Sequence, residues 1–323
     1  MRVVLSGATG FLGSAVLARL GAHGAPGAPR TRERPGTAQE LTVRAFTRRH
    51  VALPAGVEQV HADLARPETL AGVCEGADVL VNAASHVGSD EQQCNLVNDL
   101  GTAALMEEAR RAGVRRVVHL STTAVYGRGP HRGASVTDLG PAPGSAASRS
   151  RLAGETHALR QGALVLRAGL VTGEGDRWVV PALAELARRV PGLWLGGTGR
   201  LSLVAVEDLA RLVTAAALRL PAAGGAVHHA VHPQPVRLRD LLRTLAALGL
   251  LPPLSGELTW QQCLSLMRAN PGRIRERQLE LLAQDHFYSG ESLWDACRCD
   301  PGPGPLARLP GAAAWYRRQL GLV

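Results

Sequence analysis

Met1-Arg-Val-Val-Leu-Ser6-Gly7-Ala8-Thr9-Gly10-Phe11-Leu12-Gly13-Ser-Ala-Val opens the chain, and its reading decides the fold. A β-branched, apolar run at 3–6 predicts a strand. The pattern after Phe11 predicts a helix over 11–20, and only a glycine-punctuated turn separates the two. A strand–turn–helix of this kind brings backbone N–H groups and a helix N-terminus against a pyrophosphate, an approach that side chains would block. Gly7, Thr9, Gly10, Phe11, Leu12 and Gly13 are therefore the first candidate binding residues.

Beyond this turn, short apolar runs alternate with helical patterns, as a parallel, doubly wound α/β sheet requires. Strands are expected at 42–47, 57–61, within 77–85, at 117–121, 163–167 and 201–206. Helices are expected at 67–74, 91–112, 144–161 and 207–218. The last strand and helix are assigned to the same layer as the rest. A Pro/Gly-rich loop is expected at 24–36. After Val231 prolines punctuate leucine-rich helices, so residues 172–199 and 233–323 are read as a smaller, mainly helical substrate domain. Residues 1–171 and 200–232 form the Rossmann domain.

The chain has 323 residues, of which 46% are hydrophobic, enough for a sizeable core without disulfides. No run reaches the roughly 18 apolar residues of a membrane span, and the immediate strand leaves no room for a signal peptide, so a cytoplasmic protein is expected. Five cysteines lack any CxxC spacing; reduced thiols and no metal are expected. The net charge is +9 and every side-chain cation besides histidine is arginine. The arginines are scattered and aromatics are only 3%, which disfavours nucleic acid but suits an anionic small ligand.

The end of the second strand reads Phe46-Thr47-Arg48-Arg49-His50. A carboxylate there would bind ribose hydroxyls and repel a 2′-phosphate. Arg48 and Arg49 instead offer a phosphate clamp, so NADP(H) is expected over NAD(H).

Across residues 1–232 the chain resembles the extended short-chain dehydrogenase/reductases. The resemblance is carried in order by His61-Ala-Asp63-Leu64, Asn82-Ala83-Ala84, Val97-Asn98-Asp-Leu-Gly101-Thr102, Val118-His-Leu-Ser121-Thr122-Thr-Ala-Val-Tyr126-Gly127, Arg167-Ala-Gly-Leu-Val171 and Leu203-Val-Ala-Val-Glu-Asp208-Leu209. It implies that Asp63 and Leu64 meet the adenine and that Ala83, Ala84 and Ser121 flank the cofactor. It also implies that Thr122 is the catalytic Ser/Thr that orients a carbonyl. Ser85, His86 and Tyr126 are candidate substrate contacts.

The family's proton-transferring Tyr and its Lys partner sit at i and i+4 on one helix face. Here Ala147 stands at the tyrosine and Arg151 at the lysine, within Ala146-Ala-Ser-Arg-Ser-Arg151-Leu-Ala-Gly-Glu155. Arg151 keeps a charge that can hold a ribose hydroxyl but is no tunable base. This degenerate pair is similar to that of the angucyclinone ketoreductases of antibiotic pathways. That resemblance implies a ketoreductase acting on a polycyclic aromatic polyketide ketone. A non-redox cyclase or isomerase on the same fold, and an NADP-binding sensor resembling NmrA-type proteins, stay open from the residues alone.

Overall fold

The structure, a computed structural model, describes residues 1–24, 41–222, 224–254 and 256–322. Most of the loop expected at 24–36 lies outside the described residues. Seven parallel strands form the central sheet: β1 Arg2–Ser6, β2 Thr42–Thr47, β3 Val57–His61, β4 Val79–Asn82, β5 Arg116–Thr122, β6 Leu164–Ala168 and β7 Ala226–Ala230, in the order β7-β6-β5-β4-β1-β2-β3. The order reverses between β1 and β4, opening the crevice in which such sheets bind ligands.

Alternation along the strands explains why both faces are covered. Val3, Leu5, Val79, Val81, Val118, Leu120, Leu164 and Leu166 face one core with Val16, Leu17 and Leu20 of helix α1 (Phe11–Gly24). Val4, Leu80, Val117 and Val165, the intervening positions, face the other with Leu105 and Met106 of α2 (Gly101–Arg111). Successive side chains point to opposite faces, so a strand buried on both reads as a continuous apolar run. Helix α3, Ala146–Arg160, lies behind β5 and β6 and opens on a reciprocal Ser145/Ser148 cap. A separate apolar core gathers the helices Val179–Arg189, Leu238–Ala247, Trp260–Ala269 and Pro305–Gln319 around Trp194 and Tyr316.

Several expectations are corrected. The helix expected at 67–74 is a single 3₁₀ turn, Pro67–Leu70, because Ala71 leaves the helical region at ψ 125°. The helix expected at 91–112 is interrupted by a π-helical stretch, Asn95–Leu100, ahead of α2. The strand expected at 201–206 divides at Ser202. Leu201 joins a small four-stranded sheet, whereas Leu203–Ala205 pairs with Leu170–Thr172 in a sheet of their own. That strand does not belong to the central layer. The seventh central strand, Ala226–Ala230, carries two histidines among short residues and has no strand-like pattern. No described helix is long and apolar enough to cross a membrane. All five cysteines are buried and unpaired.

Candidate active site

The glycine turn is built by contact. Gly7 adopts φ +68°, and a Cβ there would lie 2.7 Å from the Ala84 nitrogen at the end of β4. A Cβ at Gly13 would lie 2.0 Å from the Gly7 carbonyl oxygen, so only glycine lets α1 start against the turn. Ser6 fixes the same junction from below. Its hydroxyl donates to Asn82 Oδ1 (2.5 Å) and accepts from the Ala83 and Ala84 N–H groups (3.0 and 3.1 Å). Asn82 in turn donates to His119 Nδ1 at 3.1 Å. Burial, and then the Arg151 charge, push His119 down to about 3, so it stays neutral.

A cavity of about 820 Å³ extends from this turn. Its wall brings together Gly7, Thr9, Gly10, Phe11, Leu12, Arg48, Asp63, Leu64, Ala83, Ala84, Ser85, His86, Ser121, Thr122 and Arg151, all of which the sequence nominated. Gly13 and Arg49 do not line it: Gly13 serves the turn from behind, and Arg49 uses its carbonyl to accept the Thr47 hydroxyl.

The far wall comes from β5 and α3. Thr122 Oγ1 accepts the Ala124 N–H at 3.2 Å, capping a 3₁₀ turn and leaving its O–H to donate elsewhere. Arg151 Nη2 donates to the Leu120 carbonyl at 3.3 Å, while its buried Nε has no partner. Burial pulls this guanidinium down to about 10, and Glu155 opposes the shift, so it remains a cation at neutral pH. An orphaned donor on a cavity wall costs free energy until a ligand satisfies it. The unpaired Nε, the side-chain-free turn and the exposed Arg48 are the features a dinucleotide needs, and the residues fit one. Ala147 lies one turn before Arg151 on the same helix face and brings only a methyl group.

Asn98 explains the π-helical stretch. Its side chain accepts the His86 N–H (2.7 Å) and donates to the His86 carbonyl and the Ser150 hydroxyl (both 2.9 Å), tying the β4 loop to α3. Such π-bulges recur beside functional sites.

Tyr126 is a correction. It is only 2% exposed and lines no part of the cavity. Its hydroxyl donates to His229 Nε2 (2.7 Å) and accepts from Arg167 Nη1 (2.8 Å). His229 Nδ1 donates to the Ser289 carbonyl at 3.0 Å, and burial pushes this ring down to about 4, which fixes the neutral tautomer. Arg167 pairs with Glu155 at 2.6 Å, and Ser121 donates a short hydrogen bond to the same carboxylate. Each member of this chain is paired with the next, so it holds the wall, and of its side chains Ser121 alone lines the cavity.

Sequence reasoning missed the opposite lip. Trp178 (60% exposed), Val87 (43% exposed), Val179 and Trp315 line the cavity with Gly175, whose backbone packs on the Phe11 ring. Asp176 holds that lip by accepting from Trp178, Val179 and Val180 N–H groups (2.7, 2.8 and 2.9 Å) and from the Tyr316 hydroxyl (3.0 Å). Burial raises the Asp176 carboxyl, against the pull of those bonds. The run Gly173-Glu-Gly175-Asp176 was the available signal, a glycine-flanked carboxylate before a helix.

Such a sheet, turn and cavity define a Rossmann-type α/β protein, with its cavity at the sheet end where this fold takes a dinucleotide. Residues 3–229 match the NAD dependent epimerase/dehydratase family, and the chain belongs to it. Among curated proteins it is 37% identical to the sterol demethylase protein B of Methylococcus capsulatus over 142 residues, 42% of this chain and 38% of that protein. It is 27% identical over 260 residues to the 4-hydroxy-2-methyl-3-oxo-4-farnesyl-3,4-dihydroquinoline-1-oxide ketoreductase of Stigmatella aurantiaca, covering 76% of this chain and 72% of that one. Among solved structures, MoeE5 in complex with UDP-glucuronic acid and NAD superposes with a TM-score of 0.73 at 21% identity, covering 99% and 100% of the two chains.

Proposed function

We propose that this protein is an NADPH-dependent ketoreductase of polycyclic aromatic ketones, of the angucyclinone-like polyketide type made in antibiotic biosynthesis, and that it leaves proton delivery to its substrate. One observation carries the reading: Thr122 and Arg151 keep unspent donors on the cavity that also holds the glycine turn and Arg48, while the proton-donor position holds Ala147.

When bound, the reduced nicotinamide supplies hydride to the carbonyl carbon. Arg48 would hold the 2′-phosphate through its guanidinium. The glycine turn and the start of α1 would take the pyrophosphate, and Arg151 the nicotinamide ribose. Thr122 donates to the carbonyl oxygen and sets its plane. Trp178, Trp315 and Val87 offer flat apolar surface to a fused-ring substrate, and the similarity to a reductase named for a dihydroquinoline ketone agrees with that. Hydride addition would move the C=O π pair to oxygen, and the alkoxide would take its proton from a phenol beside it on the substrate, or from water.

Magnitudes make this workable. A positioned general acid contributes roughly 10²–10⁴-fold, whereas orienting two reactants contributes about 7–11 kcal/mol, or 10⁵–10⁸-fold. Loss of the tyrosine leaves the larger contribution in place. The test is consumption of NADPH at 340 nm with hydroxylated polycyclic ketones, matched to an alcohol product by mass. Product without absorbance loss would point to an isomerase or cyclase; cofactor binding without turnover of any such ketone would point to a sensor.

A further inference from the structure

A small basic pocket lies outside the cavity described above. The strands Arg200–Leu201 and Val236–Arg237 pair antiparallel with Arg200 directly opposite Arg237. Directly opposed residues share one face with Cβ atoms roughly 5 Å apart, and like charges placed so are destabilising. Thr198 and Arg239 complete the wall of a concavity of about 260 Å³ that contains no carboxylate. None of these four residues lines the larger cavity.

The guanidinium groups are positioned more than they are neutralised. Arg239 donates Nε and Nη2 to the Gly196 carbonyl (3.1 and 2.5 Å), and its nearest carboxylate, Glu257, is 3.4 Å away and mostly exposed. Arg200 lies over the Phe287 ring, 4.1 Å from its centroid. It is 3.8 Å from Asp285, a carboxylate that pairs more closely with Arg132 at 2.9 Å. The Arg237 side chain has no ion pair or hydrogen bond among the described residues. It also stands immediately before the helix Leu238–Ala247, whose N-terminus has no side-chain cap and whose first turn carries one exposed carboxylate, Asp240.

We infer that this pocket binds a phosphate group. Planar guanidinium forks match phosphate oxygens two at a time, and a dianion between Arg200 and Arg237 turns their repulsion into shared attraction. The concavity leaves room for a phosphate borne on a larger molecule as well as for the free ion.

The experiment is a titration of the whole protein with inorganic phosphate, followed by ³¹P line broadening and by calorimetry at constant ionic strength set with chloride. Wild type saturates. Arg237→Gln binds roughly tenfold more weakly or worse, the loss of one charge-assisted contact. Arg188→Gln, on an exposed helix surface, leaves the affinity unchanged. Without phosphate Arg237→Gln melts slightly higher than wild type because a like charge is gone; in saturating phosphate the order reverses. A parallel titration with glycerol 3-phosphate separates the sources: tighter binding than the free ion indicates a carried phosphate, weaker binding indicates the ion itself, and either sustains the site. Equal affinity in wild type and Arg237→Gln, absence of saturation, or no reversal of melting order would overturn the proposal.

Discussion

Two polar groups meet at β5, and they spend their hydrogen bonds differently. One is a continuous buried chain that links Ser121, Glu155, Arg167, Tyr126, His229 and the Ser289 carbonyl, each paired with the next. The other lies beside it on the cavity wall, where Arg151 keeps a buried Nε without a partner and Thr122 keeps a free hydroxyl hydrogen. Side chains of similar chemistry thus hold the fold in one group and await a ligand in the other. The difference lies in which lone pairs and protons remain, and not in residue type.

The largest expected effect breaks the paired chain. Arg167→Met removes the cation hydrogen-bonded to Glu155, which is 1% exposed, and leaves a buried carboxylate without its ion-pair partner. Removing one partner of such a pair costs about 3–5 kcal/mol. Urea unfolding measures it, and a loss below about 1 kcal/mol would mean that the chain is not structural.

Acid attacks the same side with a definite sign. His229 is held down to about 4 in the fold but titrates near 6.5 in the unfolded chain. The unfolded state therefore binds the proton first, and the stabilisation is complete above pH 6.5 and lost as pH falls toward 4. A shift of that size corresponds to about 3 kcal/mol over the window. His119, held at about 3, extends the loss in the same direction at lower pH. Unfolding free energies at pH 7, 5.5 and 4 test the slope, and a flat profile would contradict a neutral, buried His229.

On the open side the effects move from stability to binding. Arg48→Ser leaves the fold intact, since the side chain is exposed. It weakens NADP binding roughly 10- to 100-fold, the range for losing hydrogen bonds to a charged group, and leaves NAD binding unchanged. Equal losses for both cofactors would remove Arg48 from the 2′-phosphate.

How legible this was in the sequence follows the same division. The glycine turn and the strands β1 to β6 were readable because backbone conformation and close approach demand particular residues in consecutive order. The other nominated residues on the cavity wall came from the family resemblance and the end of β2. The buried chain was not readable. Tyr126 looked like a substrate contact because nothing local reveals that its partners are Arg167 and His229, the latter 103 positions away. Strand β7 escaped for a related reason: Ala226-Val-His-His-Ala230 gains its strand character from pairing with β6 and not from its own pattern. Trp178 and Trp315 reach the cavity through Asp176 and Tyr316, a contact between residues 140 apart.

The smallest expected effect sharpens the comparison most, because it asks whether the open side lacks anything. Ala147→Tyr restores a phenol at the family's proton-donor position, one turn from Arg151. If the substrate supplies its own proton, the change alters kcat on a ketone with an adjacent phenol by less than about threefold, since a second general acid adds little to one already present. The O-methylated form of that ketone has lost its internal donor. On it the wild type slows by roughly 10²-fold or more, and the variant recovers part of that loss. A large gain on the unmethylated ketone would show that Ala147 is a true deficit, and that the unspent donors of Thr122 and Arg151 only bind.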